Sequence, residues 1–328
     1  MKKALSIILS LCIAAAILFV AVSCGKTDTE VKGEPKTVYE YYENGNMKTS
    51  SDYDAKGNLI KESYYDNEGK LEYYWVYEND ENGNAIKGSY YDAEGKFGGY
   101  SVAEYDTNGN MTKRSFYEAD GKLVNYFVLE YDENGSMTKA LGYDTDDTLN
   151  DVSEYDADGN VTKHSVYYDG TLNEVYEYDE KGNKTKYLCY SYNADGTLSR
   201  YIVREYDENG NETKESYYSA DGKLSSYSVY EYDENGKKTK WLSYYADGTL
   251  SYIYEYDANG KKTKSSGYYA DGKLNEVYKY DEKGNKTKYL CYSYNADGTL
   301  SSYTVSEYDE NGNVTKESCY DAEGNLIS

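Results

Sequence analysis

Glycines mark this chain at intervals of 12 or 14 residues from Gly45 to Gly324, with a single 11-residue step between Gly159 and Gly170. Most are preceded by Asn or Asp, as in Asn44-Gly45, Asp120-Gly121, Asn209-Gly210 and Asp271-Gly272. These dipeptides accept positive φ at little cost and close tight hairpins. Side chains in a strand alternate with period two, so an odd slip would turn a whole strand to the wrong face. The even spacing therefore predicts one unit repeated along the chain. At position 147 the pair reads Asp146-Asp147, a turn that has lost its glycine. Here and at the 11-residue step the regular sheet is expected to falter, with a different turn or a bulge before Gly170.

Between the turns lie runs such as Tyr227-Ser-Val-Tyr-Glu-Tyr232, rich in aromatic and β-branched residues. Nothing after residue 24 has helical periodicity. Twenty-three turn positions give an all-β fold, a repetitive antiparallel β-hairpin meander of about 24 strands. At about 4.8 Å per strand a flat sheet of that size would run roughly 115 Å. Strand twist makes a flat sheet implausible, so the array is expected to coil or roll into an elongated, solenoid-like form. Alternation gives Tyr201, Val203 and Glu205 on one face and Ile202, Arg204 and Tyr206 on the other. Neither face is purely apolar. A two-residue turn at Asn209-Gly210 would set Tyr206 opposite Thr213 and Glu205 opposite Lys214; a three-residue turn would shift that register. The 22 residues Tyr178–Ser199 recur unchanged as Tyr280–Ser301, the mark of a recent internal duplication.

The core must be built from unusual material: 47 of 328 residues are Tyr, with 29 Gly, 4 Phe, 2 Trp and 1 Pro. Tyrosine has to supply most of the burial, and its hydroxyl needs water or a partner.

The N-terminus reads as a targeting segment. Lys2 and Lys3 precede an apolar run to Val22, which ends in Ala21-Val22-Ser23-Cys24. This resembles a bacterial lipoprotein signal, which implies a signal peptide over 1–23, lipid attachment at Cys24 and export to the cell surface. An uncleaved membrane anchor and a cleaved signal without lipid remain alternatives. Residues 24–37 carry no pattern and read as a flexible tether; the array then occupies 38–328.

The formal charge of −24 becomes −26 once Lys2 and Lys3 are removed. Such a surface repels phosphate backbones, which excludes nucleic acid as a partner. Cys189, Cys291 and Cys319 follow the signal and suggest free thiols, not a disulfide framework.

Two half-units alternate in the array. One is Glu-Tyr-Asp-Glu-Asn-Gly with Thr-Lys three residues on, as in Glu205–Lys214, Glu231–Lys240 and Glu307–Lys316. The other contains Tyr-Tyr and Ala-Asp-Gly-x-Leu, as in Tyr217–Leu224 and Tyr268–Leu274. The Tyr-Asp-x-x-Gly core of the first half-unit, seen at Tyr105, Tyr131, Tyr206, Tyr256 and Tyr308, resembles the YD repeat, also called the RHS repeat. The resemblance implies hairpins that wind into a shell, in that family often around a toxin. The family's frequent Arg after the turn glycine is here usually Asn or Lys, and no Asp-Pro cleavage motif exists, since Pro35 is the only proline. Tyr41–Asn46 is similar to the hairpins of MORN-type repeats, and Tyr192–Leu198 to those of cell-wall-binding repeats.

No nucleophile–base constellation, zinc spacing or cofactor motif appears. The single histidine, His164, sits where sister units place Arg114, Tyr187 or Trp241 and reads as a surface strand residue. Asp207, Asn209 and Asn211 start a calcium-loop spacing, but Tyr218 stands where the closing Glu would be. Tyr206, Tyr232, Tyr256, Trp241 and Trp75 are candidate stacking surfaces for a ligand. The expected protein is non-enzymatic and lipid-anchored, with its array binding or spacing an extracellular protein or glycan and its only membrane contact the N-terminal lipid. The alternative, from the family resemblance, is a toxin-associated or immunity component.

Overall fold

The computed structural model describes residues 33–328, so the signal segment and Cys24 lie outside the described residues. Among the described residues there are 23 strands and no helix. They fall into two units, divided between Phe97 and Gly98. The first holds β1 (Lys36–Tyr41), β2 (Met47–Tyr53), β3 (Leu59–Tyr65), β4 (Leu71–Asn79) and β5 (Ala85–Asp92). Each pairs antiparallel with the next. β1 begins two residues before the boundary read from the sequence, so Lys36 and Thr37 belong to the array.

The second unit runs through β6 (Phe97–Tyr105), β7 (Met111–Glu118), β8 (Leu123–Tyr131), β9 (Met137–Tyr143), β10 (Leu149–Tyr155) and β11 (Val161–Tyr168). It continues through β12 (Thr171–Tyr178), β13 (Lys184–Tyr192), β14 (Leu198–Tyr206), β15 (Glu212–Ser219), β16 (Leu224–Tyr232) and β17 (Lys238–Tyr245). It ends with β18 (Leu250–Tyr256), β19 (Lys262–Tyr268), β20 (Leu274–Tyr280), β21 (Lys286–Tyr294), β22 (Leu300–Tyr308) and β23 (Val314–Asp321). Consecutive strands pair antiparallel throughout, giving the hairpin meander expected. The turn at Gly324 leads to one bridge, Tyr320 with Leu326, in place of a twenty-fourth strand.

The turn after β14 shows how the even spacing arises. The Asp207 amide donates to the Asn211 carbonyl (2.9 Å), and the Gly210 amide to the Asp207 carbonyl (3.0 Å). Gly210 has φ +81°. This is a three-residue loop with glycine in the left-handed region. It places Tyr206 opposite Glu212, not Thr213 as a two-residue turn would. The next pair, however, is Glu205 with Lys214. Thr213 is therefore an extra residue, a β-bulge. The odd loop and the odd bulge cancel, so the strands beyond keep the register of a two-residue hairpin.

Side chains hold both irregularities. Asp207 Oδ1 accepts the amides of Asn209 and Asn211, both at 2.9 Å, while Oδ2 accepts Asn211 Nδ2 at 3.0 Å. The bulged Thr213 donates its hydroxyl to the Glu205 carbonyl at 3.2 Å. The pattern repeats with Asp106 and Thr112, with Asp179 and Thr185, and with Asp309 and Thr315. The Tyr-Asp half-units supply the turns along one edge of this unit. The Ala-Asp-Gly half-units supply the other edge, where the Asp before the glycine holds the same amide. Thr197, Thr249 and Thr299 donate to Asp195, Asp247 and Asp297 in this way.

The sheet does not falter at position 147. Asp147 takes the left-handed conformation itself, φ +65°, and the Asp144 amide still reaches the Thr148 carbonyl at 3.0 Å. Asp tolerates that region better than most residues. The 11-residue step holds a different turn, as expected. Tyr168 pairs directly with Thr171, and Asp169 and Gly170 both have positive φ, so the loop there has two residues.

Burial concentrates in the middle of the strands, on small side chains flanked by large ones. Ser216 is 2 % exposed between Val203 and Tyr227, and Ser265 is 0 % exposed between Tyr254 and Tyr278. Tyrosine hydroxyls find backbone partners: Tyr131 donates to the Met111 carbonyl (2.9 Å) and Tyr232 to that of Glu212 (2.7 Å). Each such bond ties one turn to the previous turn on the same edge.

Two predictions concern the turns and their aspartates. A Cβ at Gly210 would have no atom within 4 Å, whereas at Gly99 it would lie 2.4 Å from the Tyr117 carbonyl oxygen. Gly210→Ala should therefore cost only the left-handed backbone term, about 1 kcal/mol, and Gly99→Ala clearly more, in equilibrium urea unfolding. Equal costs would refute this account of the two glycines. The amide donors around the turn aspartates hold Asp106, Asp207 and Asp309 below their usual value of 3.8. Their folded pKa is depressed, so the stability they contribute is present above pH 3.8 and is lost as the pH falls through the lower folded values. Carboxyl-carbon NMR titration should show midpoints below 3.8 for these residues.

Candidate binding face

The second unit places three parallel bands on one face. Nearest the Tyr-Asp turns runs a charge ladder in which Lys and Glu stand opposite one another, interrupted at Lys279, which faces Lys264 and Lys288. Glu205 meets Lys214 at 3.6 Å, Glu231 meets Lys240 at 2.9 Å and Glu255 meets Lys264 at 2.8 Å. Such half-exposed pairs contribute little stability, up to about 1 kcal/mol each. In the centre lies a row of Val, Leu, Ile and Ser. Toward the Ala-Asp-Gly turns the row is tyrosine, with rings stacked across strands as in Tyr201–Tyr218 (4.8 Å, 4°) and Tyr227–Tyr244 (4.7 Å, 9°).

Over β9 to β13 this face opens into a groove of about 340 Å³. Its floor is an unbroken cross-strand row, Leu141 to Val152 to Ser165 to Val175 to Leu188. One wall is the charge ladder, in which Lys139, Glu154, Lys163 and Glu177 alternate in sign from strand to strand. Lys163 lies 3.5 Å from Glu154, and Glu177 3.7 Å from Lys186. The other wall is Tyr167, Leu172 and Tyr190. Burial raises the Tyr190 hydroxyl above its ordinary pKa, so it stays a neutral donor. Chemically the groove offers an apolar strip with donors and acceptors of both signs along one side, suited to an amphipathic ligand.

The opposite face carries the buried charged groups, Arg114 and Glu215. Arg204 Nε donates to Glu215 Oε1 at 2.9 Å and Tyr217 donates to Oε2 at 2.7 Å, so Glu215 is buried but paired. Burial, then the bond to Glu215, pushes the Tyr217 hydroxyl up to about 12. His164 lies on this face, half-buried and not at the open surface, with Nδ1 3.0 Å from Ser153 Oγ. Burial raises the carboxyl pKa of the nearby Asp151.

The five aromatic candidates do not form one site. Tyr206, Tyr232 and Tyr256 end β14, β16 and β18, so they recur along the same edge at every second strand. Lys184 lies 3.9 Å from the Tyr206 ring centre, and the Tyr232 hydroxyl is bonded to Glu212. Trp241 stacks one ring face on Tyr254 (4.7 Å, 9°). Trp75 belongs to the first unit, edge-on to Tyr90. The groove residues were not singled out by sequence reasoning. The odd step at Gly170, however, lies in the β11–β12 hairpin that forms the groove's centre. Both oxygens of Asp207 are taken by N–H donors, so the turn itself accounts for the calcium-like spacing. Among the described residues no group of three or more His, Cys, Asp or Glu could hold a metal ion. Cys189, Cys291 and Cys319 are free and half-buried.

A family model described as "Protein of unknown function (DUF2963)" matches residues 98–141, 192–242 and 244–291, all in the second unit. No curated protein matches the chain. Among solved structures, a Photorhabdus luminescens Tc holotoxin pore aligns over 94 % of this chain and 20 % of its own, at 14 % identity and TM-score 0.20. A TcdB2-TccC3-Cdc42 structure aligns over 91 % of this chain and 26 % of its own, at 11 % identity and TM-score 0.15. A porin-like protein from Bacteroides uniformis aligns over 89 % and 97 %, at 12 % identity and TM-score 0.14. The chain thus spans about a fifth to a quarter of the two toxin chains. Scores this low assign no shared fold.

The groove makes a prediction of its own. A neutral apolar dye such as Nile red should bind the native chain and brighten, and Leu188→Glu should weaken that binding by placing a charge on the floor. Equal brightening in wild type and variant would exclude the groove as the chain's apolar site.

Proposed function

We propose that this is a non-enzymatic, lipid-anchored surface protein whose hairpin array presents the grooved face to an extracellular protein or glycan. The groove over β9 to β13 carries the reading: a largely aliphatic floor, with Ser165 at its centre, between a row of alternating charges and a wall of Tyr167, Leu172 and Tyr190. Binding surfaces pair an apolar centre with a polar rim in this way. The lipid-anchor part rests on Ala21-Val22-Ser23-Cys24 behind the apolar run. The acidic charge favours a neutral or basic partner.

Two measurements test the proposal. In the native cell, Cys24→Ala should move the protein from the detergent-partitioning fraction to the aqueous one; unchanged partitioning would remove the lipid anchor. Residues 25–328 displayed to arrays of glycans and envelope proteins should retain a ligand that Leu188→Glu releases. Retention of nothing would leave a passive spacer, and retention unaffected by the variant would move the site elsewhere.

A further inference from the structure

Five of the tyrosine pairs on the grooved face of residues 98–328 share one geometry. Each joins residues directly opposite in register, with ring centres 4.7 to 5.1 Å apart and planes within 14° of parallel. Flat rings in contact lie roughly 3.5 Å apart, so these are offset stacks in which ring carbons of one phenol lie over ring carbons of the other. The register fixes the pairing: Tyr126 faces Tyr143 and Tyr201 faces Tyr218 through the backbone ladder.

One pair has an added feature. In the sister units the first tyrosine points its hydroxyl at a turn glycine; a Cβ at Gly222 would lie 3.8 Å from Tyr201 Oη, and one at Gly248 equally close to Tyr227 Oη. At the turn that lost its glycine, Asp147 fills this space, and Tyr126 donates its phenolic hydrogen to Asp147 Oδ1 at 2.8 Å. Tyr126 therefore has a carboxylate in place to receive its proton. A phenol gives up an electron far more readily when its proton has somewhere to go.

We propose that the stacked tyrosine pairs are sites of oxidative cross-linking, and that Tyr126–Tyr143 with Asp147 is the preferred one. The oxidant class is a peroxide acting through a haem peroxidase. Each phenol loses one electron and one proton to give a phenoxyl radical. The two radicals join through the carbons beside their oxygens, and the two ring hydrogens at the new bond migrate to oxygen and restore both phenols. Hydrogen peroxide takes up the two electrons and two protons and leaves as two waters. The product is a dityrosine that fastens neighbouring strands covalently, with no change in register.

The competing expectation is that exposure decides. Tyr41 and Tyr168 are the most exposed tyrosines, each at 59 %, and neither belongs to these stacks. The full chain is treated with hydrogen peroxide and a catalytic amount of a small haem-peptide peroxidase, and cross-linked peptides are identified by mass spectrometry. The expected products are peptides of one chain joined at Tyr126–Tyr143 and Tyr201–Tyr218 with loss of two hydrogens, the first in higher yield. Tyr143→Phe keeps the ring and the stack and should abolish the Tyr126–Tyr143 link alone. Asp147→Gly installs the residue found at the sister turns, so the hairpin is retained, and should lower the Tyr126–Tyr143 yield to that of Tyr201–Tyr218. Products dominated by links between chains through Tyr41 and Tyr168 would overturn the proposal. An unchanged yield ratio in Asp147→Gly would overturn the role of Asp147.

Discussion

The fold rests on the grip of one aspartate carboxylate on its own turn. A three-residue loop shifts the register of a hairpin by one, and repeated alone it would mispair every strand that follows. Asp207 and its counterparts hold the loop by accepting two backbone amides and one asparagine side chain. The bulged threonine, fastened to the Glu205 carbonyl on the neighbouring strand, restores the lost residue. Each unit thus contains two irregularities that cancel. That is why the glycine spacing is even although the turns are odd.

With the register secured, tyrosine can serve as core. A chain so poor in Leu, Ile and Val has no thick apolar interior to offer. It places small residues at mid-strand and lets broad rings on neighbouring strands cover them, as Tyr254 and Tyr278 cover Ser265. The rings stack on one another, and their hydroxyls reach backbone carbonyls of the preceding turn. Burial and hydrogen bonding therefore come from the same side chain. The same double use weakens the view of these rings as free platforms for a ligand: Tyr206, Tyr232 and Trp241 are already engaged with Lys184, Glu212 and Tyr254. It leaves the aliphatic floor over β9 to β13 as the surface with most still to offer.

Much of this was legible in the residues. Asn-Gly and Asp-Gly marked the reversals, alternation marked the faces, and the odd step at Gly170 marked a departure from the regular turn, which the structure resolves as a two-residue loop. The Glu205–Lys214 pairing agrees with a count from a two-residue turn, because the bulge restores that register. Tyr206 opposite Glu212 was not legible, because a bulge shows in sequence only as the threonine of Thr-Lys, and threonine is equally at home in a regular strand. Asp147 looked like a fault because a missing glycine is visible, whereas a hydroxyl 21 residues earlier that bonds to the replacement is not. The groove escaped notice for a similar reason. Its floor residues come from five strands, each contributing one ordinary Val, Leu or Ser.

The sequence by itself determined the secondary structure, the antiparallel order and the even register, because these depend on turn chemistry and period-two alternation within about fifteen residues. The tertiary structure alone decided which side chains meet across the strands. Whether Tyr126 stacks on Tyr143 and bonds to Asp147, and whether Val175 lies between Ser165 and Leu188, depends on how the bulges align one hairpin with the next. That alignment is the sum of many one-residue shifts, and no single repeat contains it.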